Sequence, residues 1–278
     1  WIFPDLTSEQ DLFDLAAATQ EIYEIMFDRV IKLAHERVSF STNLVLMGGC
    51  ALNCKANSMI TANYGFKDIW IMPNPGDAGS SIGATQQFNE DWNLNWKTPY
   101  LGYNIEGDYP VEKSLKALLD GDIIGIANGR AEFGPRALGN RTLTADPRGP
   151  LIKDKMNEIK HRQKFRPFAP MILEEDVHDY FDMPENVTQS PYMQFVAECK
   201  FPREFPAIVH VDNTSRVQTV NQLQHPELYQ LLSRFKEETG CPMLVNTSLN
   251  IKGKPIVNDE YDVMDFSEHY GVKVFTSD

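Results

Sequence analysis

The sequence predicts an α/β protein built in two parts, and three observations carry that expectation. Up to about residue 88, apolar strand-like runs alternate with helix-like stretches in the order strand, helix, strand, helix, after one long helix. Near residues 95–108 the periodicity gives way to Trp, Asn, Pro and Gly, the composition of a linker. Beyond it, strand and helix patterns resume as a mixed α/β run without an internal repeat. The expected division is 1–98 and 102–278.

The first element is a helix over 7–37, with Thr7 and Gln10 as a capping box and Leu12, Leu15, Ala16, Ile22, Met26, Val30 and Leu33 at helical spacing. NLVLMGG then reads as a buried strand ending in a glycine turn, followed by a helix from about Ala51 to Ala62. DIWIMP, residues 68–73, is a second strand, and a Pro/Gly turn leads into a helix around SSIGATQQF. The second part opens with a helix over about 111–120 and the strand DIIGIAN. An arginine-rich loop follows, then a helix around LIKDKMNEIKHR. Strands are expected at PYMQFVAE, AIVHV, RVQTV, PMLVN and VKVFT, and helices at HPELYQLLSRFKEETG and NDEYDVMDFSEHYG. Gly240 closes the first of these two helices as a C′ glycine.

At 278 residues the chain can bury a sizeable core. No apolar run is long enough to cross a bilayer and no signal-peptide pattern opens the chain, so no membrane partner and a cytoplasmic location are expected. The opening WIFPDLTSEQ lacks a Met, which suggests a fragment of a longer protein or a trimmed product. Four cysteines (Cys50, Cys54, Cys199, Cys241) form neither a disulfide framework nor a zinc spacing and read as reduced thiols. A formal net charge of −13 argues against a nucleic-acid polymer as partner. The charge is uneven: residues 130–166 hold ten Lys/Arg against four Asp/Glu. An acidic protein with one basic segment suggests a small anionic ligand.

Six segments carry the candidate chemistry. In MGGCALNCKANS, Gly48 and Gly49 end a strand and open a helix, a geometry that lets backbone approach a phosphate; a tight strand–helix turn is the alternative. A Walker A loop is excluded, because its second Gly and Ser/Thr are absent. In NPGDAGSSIGA, Asp77 is either a helix N-cap or a carboxylate metal ligand. GRAEFGPRALGNRTLTADPR brings Arg130, Arg136, Arg141 and Arg148 together among Gly and Pro, and KHRQKFRPFAP adds Lys160, Arg162, Lys164 and Arg166 before Pro167 and Pro170, which are expected to end the helix and turn the chain. Guanidinium groups grip phosphate with paired hydrogen bonds and stay charged, although a basic run can also be a solvated face. HVDNTSRVQTV and LVNTSLNIKGKPIV each place a hydroxyl- and amide-rich turn after a hydrophobic strand, where open α/β sheets present ligand groups. Asx and Ser/Thr turns would explain the same residues structurally.

In this order, these segments resemble the NodU/CmcH family of ATP-dependent O-carbamoyltransferases, over about residues 44–257. The resemblance implies a partial actin/sugar-kinase-like (ribonuclease H-like) lobe followed by a YrdC-like twisted-sheet domain. It implies a two-step reaction: carbamoyl phosphate and ATP form carbamoyl-adenylate, and the carbamoyl group passes to a hydroxyl of a small acceptor such as a sugar, nucleoside or natural product. By that resemblance Arg136, Arg141 and Arg166 would be catalytic, and Arg130, Lys164, Asn246, Thr247 and Ser248 would bind the phosphorylated substrates. Gly48, Gly49 and Asn53 would contact the adenylate, and Asp77 would hold a metal, Fe(II) in this family, with Mg(II) accompanying the nucleotide. The family's paired histidines have no counterpart here, since His35, His161, His178, His210, His225 and His269 are widely spaced, so an incomplete transfer site is expected. A homodimer is a further expectation. The competing reading is a non-catalytic module that binds a nucleotide or RNA through the basic loops.

Overall fold

The computed structural model describes residues 8–88 and 96–278. Its first elements are α1 (Glu9–Arg37), β1 (Asn43–Leu46), α2 (Cys54–Tyr64), β2 (Asp68–Ile71) and α3 (Ser80–Gln86), the alternation the sequence predicts. The capping box of α1 is formed by Ser8 and Asp11, not by Thr7 and Gln10; Thr7 lies outside the described residues. Ser8 sits where the backbone is still extended, so its hydroxyl can reach the Asp11 N–H. A 3₁₀ turn, Gly49–Leu52, precedes α2, which begins later than expected because Asn53 caps it by accepting from Ala56 N–H. β1 and β2 pair in parallel. β1 is less buried than its apolar sequence suggests, with Val45 64% exposed. Several large apolar side chains of α1, among them Ile22, Met26 and Val30, also face outward.

The second part comprises β3 (Tyr100–Ile105), α4 (Val111–Leu119), β4 (Ile124–Ala127), β5 (Gly129–Glu132), β6 (Arg141–Thr144), α5 (Ile152–Ile159), β7 (Ala169–Leu173), α6 (Val177–Tyr180), β8 (Phe181–Asp182), β9 (Val196–Cys199), β10 (Thr214–Arg216), β11 (Gln218–Val220), α7 (Pro226–Thr239), β12 (Met243–Ser248), α8 (Glu260–Tyr270) and β13 (Lys273–Phe275). A six-stranded mixed sheet runs β11-β7-β12-β6-β4-β13, with a three-stranded sheet β10-β9-β8 and a two-stranded sheet β3-β5 beside it. The core forms on this sheet. Helix α4 buries Val111, Leu115 and Leu118, and α7 buries Leu228, Leu231, Leu232 and Phe235, each set at the i, i+3, i+4 spacing of one helix face.

Three sequence expectations are corrected. The stretch 95–108 is not a linker throughout: β3 lies within it, pairing with β5, while residues 89–95 lie outside the described residues. AIVHV forms no strand; Ala207 and Ile208 are fully buried in an irregular segment whose carbonyls accept from Phe168 N–H and the Ser215 hydroxyl. Apolar runs report burial before they report conformation. Pro170, expected to turn the chain, lies inside β7, opposite Val245 of β12. The sheet tolerates it because β11 joins β7 only from Met171 onward, so on that side Pro170 sits at an edge.

The two parts are tied together by polar side chains. Asn57 of α2 donates to the Gln194 carbonyl at 3.0 Å, Ser58 exchanges hydrogen bonds with the Val196 backbone at 2.9 and 3.1 Å, and Gln194 donates to the Ile71 carbonyl at 2.7 Å.

Candidate functional site

A cavity of about 500 Å³ opens where the arginine loop, the turn after α5, the ends of β10 and β12, and the start of α2 meet. Its walls include Arg136, Arg162, Arg166 and Arg216, the strand end Asn246, Thr247 and Ser248, and an apolar side formed by Phe165, Phe168 and Ile208. The volume lies in the ordinary range for a small-molecule site. Among the described residues no Asp or Glu lines it.

Each arginine arrives by a different route. Arg136 projects from the loop between β5 and β6. Arg162 and Arg166 lie in the turn from α5 to β7, which buried Asn157 braces by donating to the carbonyls of Lys164 at 3.2 Å and Arg166 at 3.0 Å. Asn157 also accepts from Arg162 Nε at 2.6 Å, and the Arg162 guanidinium lies 4.3 Å over the Phe168 ring. Arg216 ends β10. Among the described residues the guanidinium groups of Arg136, Arg166 and Arg216 have no hydrogen-bond or ion-pair partner, and Arg216 Nε is buried without one.

Burial, reinforced by Arg216 nearby, pulls the Arg136 pKa down to about 10. Burial and the charges of Arg166 and Arg216 do the same to Arg162, also to about 10. Arg216 is lowered chiefly by burial, opposed by Cys54 and assisted by Arg166. A buried cation with no counter-charge is costly. Four guanidinium groups in one cavity with no Asp or Glu among its lining residues can form paired hydrogen bonds to an anion.

Beside this wall lies Lys160, 4% exposed, whose ammonium donates to the Ser248 carbonyl and hydroxyl and to Asn250 Oδ1 at 2.9 Å. Burial, with Arg162 and Arg166, lowers its pKa to about 7.

Several residues expected at the site are elsewhere. Arg141 is fully buried at the start of β6, and its guanidinium donates to the carbonyls of Tyr103, Asn128, Gly129, Asn140 and Asn258 at 2.7–3.2 Å. It ties strand ends together and is turned away from the cavity. Arg130 is exposed, donating to the Leu101 carbonyl at 3.0 Å, because β5 alternates and points it outward. Lys164 is exposed and paired with Glu158 at 2.9 Å. Asn246 does line the cavity, but its amide donates to the Ala137 carbonyl at 2.9 Å and to Gln218 Oε1, and it accepts from the Thr142 hydroxyl at 3.1 Å. Its side chain braces the Arg136 loop. Arg162 stood in the basic run of the sequence, whereas Arg216 was hidden in a stretch read as a polar turn, part of which is in fact the strand β10 that Arg216 ends.

Gly48, Gly49, Asn53 and Asp77 follow the carboxyl ends of β1 and β2 and are not in the cavity lining, although Cys54, next to Asn53, is. Gly48, at φ 100°, donates its N–H to the Pro75 carbonyl at 2.7 Å, which joins the two turns. Asn53 bonds with Gln20 across to α1, donating at 2.9 Å. Asp77 is exposed in the 3₁₀ turn Asp77–Gly79, and the N-cap role weighed for it is not formed: Gly79 precedes α3. Among the described residues no three His, Cys, Asp or Glu come together to hold a metal ion. Among the described residues Asp77 therefore has no partner ligands, and those residues do not fit a metal site.

No helix among the described residues is long and apolar enough to cross a membrane.

Comparison with known proteins matches two protein-family models: carbamoyltransferase C-terminus over residues 115–277 and carbamoyltransferase N-terminus over residues 5–86. An uncharacterized protein of Synechocystis is 36% identical over 91% of this chain and 49% of its own length. The nodulation protein NolNO of Sinorhizobium fredii is 34% identical over 90% of this chain and 41% of its own. The 3'-hydroxymethylcephem-O-carbamoyltransferase of Amycolatopsis lactamdurans is 32% identical over 90% of this chain and 50% of its own. This chain thus spans about half the length of these curated relatives. Among solved structures, full-length HypF in its phosphate- and nucleotide-bound form matches 58% of this chain and 20% of that one, with 21% identity and a TM-score of 0.42.

Proposed function

This chain belongs to the carbamoyltransferase family, and from that premise we propose that its arginine cavity activates a carbamoyl group with ATP. Carbamoyl phosphate loses inorganic phosphate to water, leaving carbamate. A carbamate oxygen then attacks the α-phosphorus of ATP, and pyrophosphate leaves with the electron pair of the broken P–O bond. The product is carbamoyl-adenylate. In the complete protein a hydroxyl of the acceptor attacks the carbamoyl carbon, AMP departs, and the hydroxyl proton passes to solvent. One relative is named for carbamoylating a hydroxymethyl group, which supports an alcohol as the acceptor class.

The supporting observation is the set of unpartnered guanidinium groups of Arg136, Arg166 and Arg216 in a cavity without carboxylates. Two anions approaching within about 4 Å repel by about 4 kcal/mol per unit charge pair at an effective dielectric near 20. Arginines held in place before the substrates arrive offset that repulsion and orient the attack. The Gly48, Gly49 and Asn53 cluster is the candidate contact for the adenylate during transfer. No step is drawn through a metal.

The test follows pyrophosphate release by this chain from ATP and carbamoyl phosphate, comparing wild type with Arg136→Ala and Arg216→Ala. Loss of one such electrostatic donor should reduce turnover by about 100-fold or more. Equal release by all three proteins would refute the assignment.

A further inference from the structure

We propose that Glu132 is a positioning residue that holds the Arg136 loop in its anion-gripping form, an inference that rests on the anion-binding reading of the cavity. Glu132 ends β5, immediately before the loop of residues 133–140. Its side chain folds back beneath that loop, and one carboxylate oxygen, Oε1, accepts the N–H groups of Leu138 at 2.7 Å, Asn140 at 2.8 Å and Arg141 at 3.2 Å. The other oxygen, Oε2, is buried with no hydrogen-bond partner. Among the described residues no Lys, Arg or His side chain forms an ion pair with this carboxylate. The charge is therefore directed at three main-chain amides, two at the end of the loop and one at the start of β6, N–H groups that a neutral acceptor would hold less firmly.

The loop carbonyls are gripped from the other side. Tyr100 donates to Leu138 O at 3.0 Å, Tyr109 to Gly139 O at 3.0 Å, Gln218 to Leu138 O at 3.1 Å, and Asn246 to Ala137 O at 2.9 Å. Donors thus hold the carbonyls, while Glu132 takes three N–H groups and the Thr142 hydroxyl accepts that of Gly139 at 3.0 Å. Among the described residues the Arg136 side chain has no hydrogen-bond or ion-pair partner to fix its direction, so its backbone must set it. Glu132 acts through Arg136 and is not in the cavity lining.

The sign of the effect separates this role from simple electrostatics. Removing a negative charge near an anion site should tighten anion binding. Loosening the Arg136 loop should weaken it. The test uses this chain and its Glu132→Gln variant, which keeps the side-chain shape and one acceptor oxygen. Calorimetric titration with inorganic pyrophosphate should show affinity about tenfold weaker in Glu132→Gln, with the melting temperature close to wild type. The double variant Glu132→Gln with Arg136→Ala should bind no more weakly than Arg136→Ala alone. Amide hydrogen exchange, which needs no ligand, should speed up at Leu138, Asn140 and Arg141 while α7 stays protected. Unchanged exchange at those amides, or tighter pyrophosphate binding by Glu132→Gln, overturns the proposal. Faster exchange together with no pyrophosphate binding by wild type would support the positioning role and refute the anion-site reading.

Discussion

Lys160 is the residue whose chemistry is most exposed to pH. Its folded pKa of about 7 lies below the ordinary value of 10.5 because burial and two neighbouring arginines oppose its charge. Below pH 7 both folded and unfolded chains carry the proton, and the folded state bears the full penalty. Between about 7 and 10.5 the unfolded chain still holds a proton that the folded chain has released, so stability rises with pH, by up to ~1.4 kcal/mol per unit. Above 10.5 the contribution is constant. Urea unfolding of wild type against Lys160→Met should therefore diverge in favour of wild type by roughly 3 kcal/mol between pH 7 and 9.5. A pH-independent difference would show that the amine does not titrate in this window. The residue scale is also where the sequence was least legible. Arg136 and Arg141 stand in one Gly/Pro-rich run with the same chemistry, yet one faces a cavity and the other is fully buried on main-chain carbonyls. What separates them is that Arg141 opens β6, where the carbonyls of Tyr103 in β3, of Asn128 after β4 and of Gly129 at the start of β5 converge, and that register is a tertiary fact.

At the scale of elements, the arginine loop leans on the tail of β2, and Gly134 is the point of contact. Its φ is 157°, and a Cβ there would meet the Pro73 carbonyl oxygen at 2.6 Å. Gly134→Ala must therefore shift the loop or the β2 tail, and should lower stability by about 1–3 kcal/mol. Phosphate affinity should fall with it, since Arg136 lies two residues on. Gly83→Ala is the contrast: in α3, with nothing within 4 Å of the added carbon, it should be neutral or stabilising by up to ~1 kcal/mol. Urea unfolding of both variants checks this, and a Gly134→Ala as stable as wild type would mean the loop is not seated there. Strongly periodic elements such as α4, α7 and α8 could be read directly from their apolar spacing. The elements missed were those whose local signal opposed their context. β3 carries Gly and Asn, β7 carries Pro170, and the segment at 207–211, buried at Ala207, Ile208 and Val209, has a strand-like sequence held by turns.

For the whole molecule, the distribution of charge decides which anion can enter. The chain carries a formal net charge of −13, although residues 130–166 hold ten Lys/Arg against four Asp/Glu. Local excess of positive charge was legible in the sequence. That part of it converges with Arg216, fifty residues further along the chain from Arg166, was not, because convergence depends on β10 ending at the cavity mouth. Much of the remaining basic run is diverted: Arg141 to carbonyls, Arg148 to Asp146 at 2.6 Å, and Lys164 to Glu158. With these side chains engaged and the rest of the chain acidic, a polymer backbone is expected to bind poorly. A mononucleotide, by contrast, needs only the cavity. At 150 mM salt, ATP should bind with a shallow salt dependence, because few phosphates are engaged, and a twenty-nucleotide single-stranded RNA should bind no tighter than the mononucleotide. Calorimetric titrations across salt concentrations distinguish the cases. An RNA affinity at least tenfold above that of ATP, falling steeply with salt, would favour a polymer-binding surface, since counterion release scales with the number of phosphates neutralised and a closed pocket neutralises only a few.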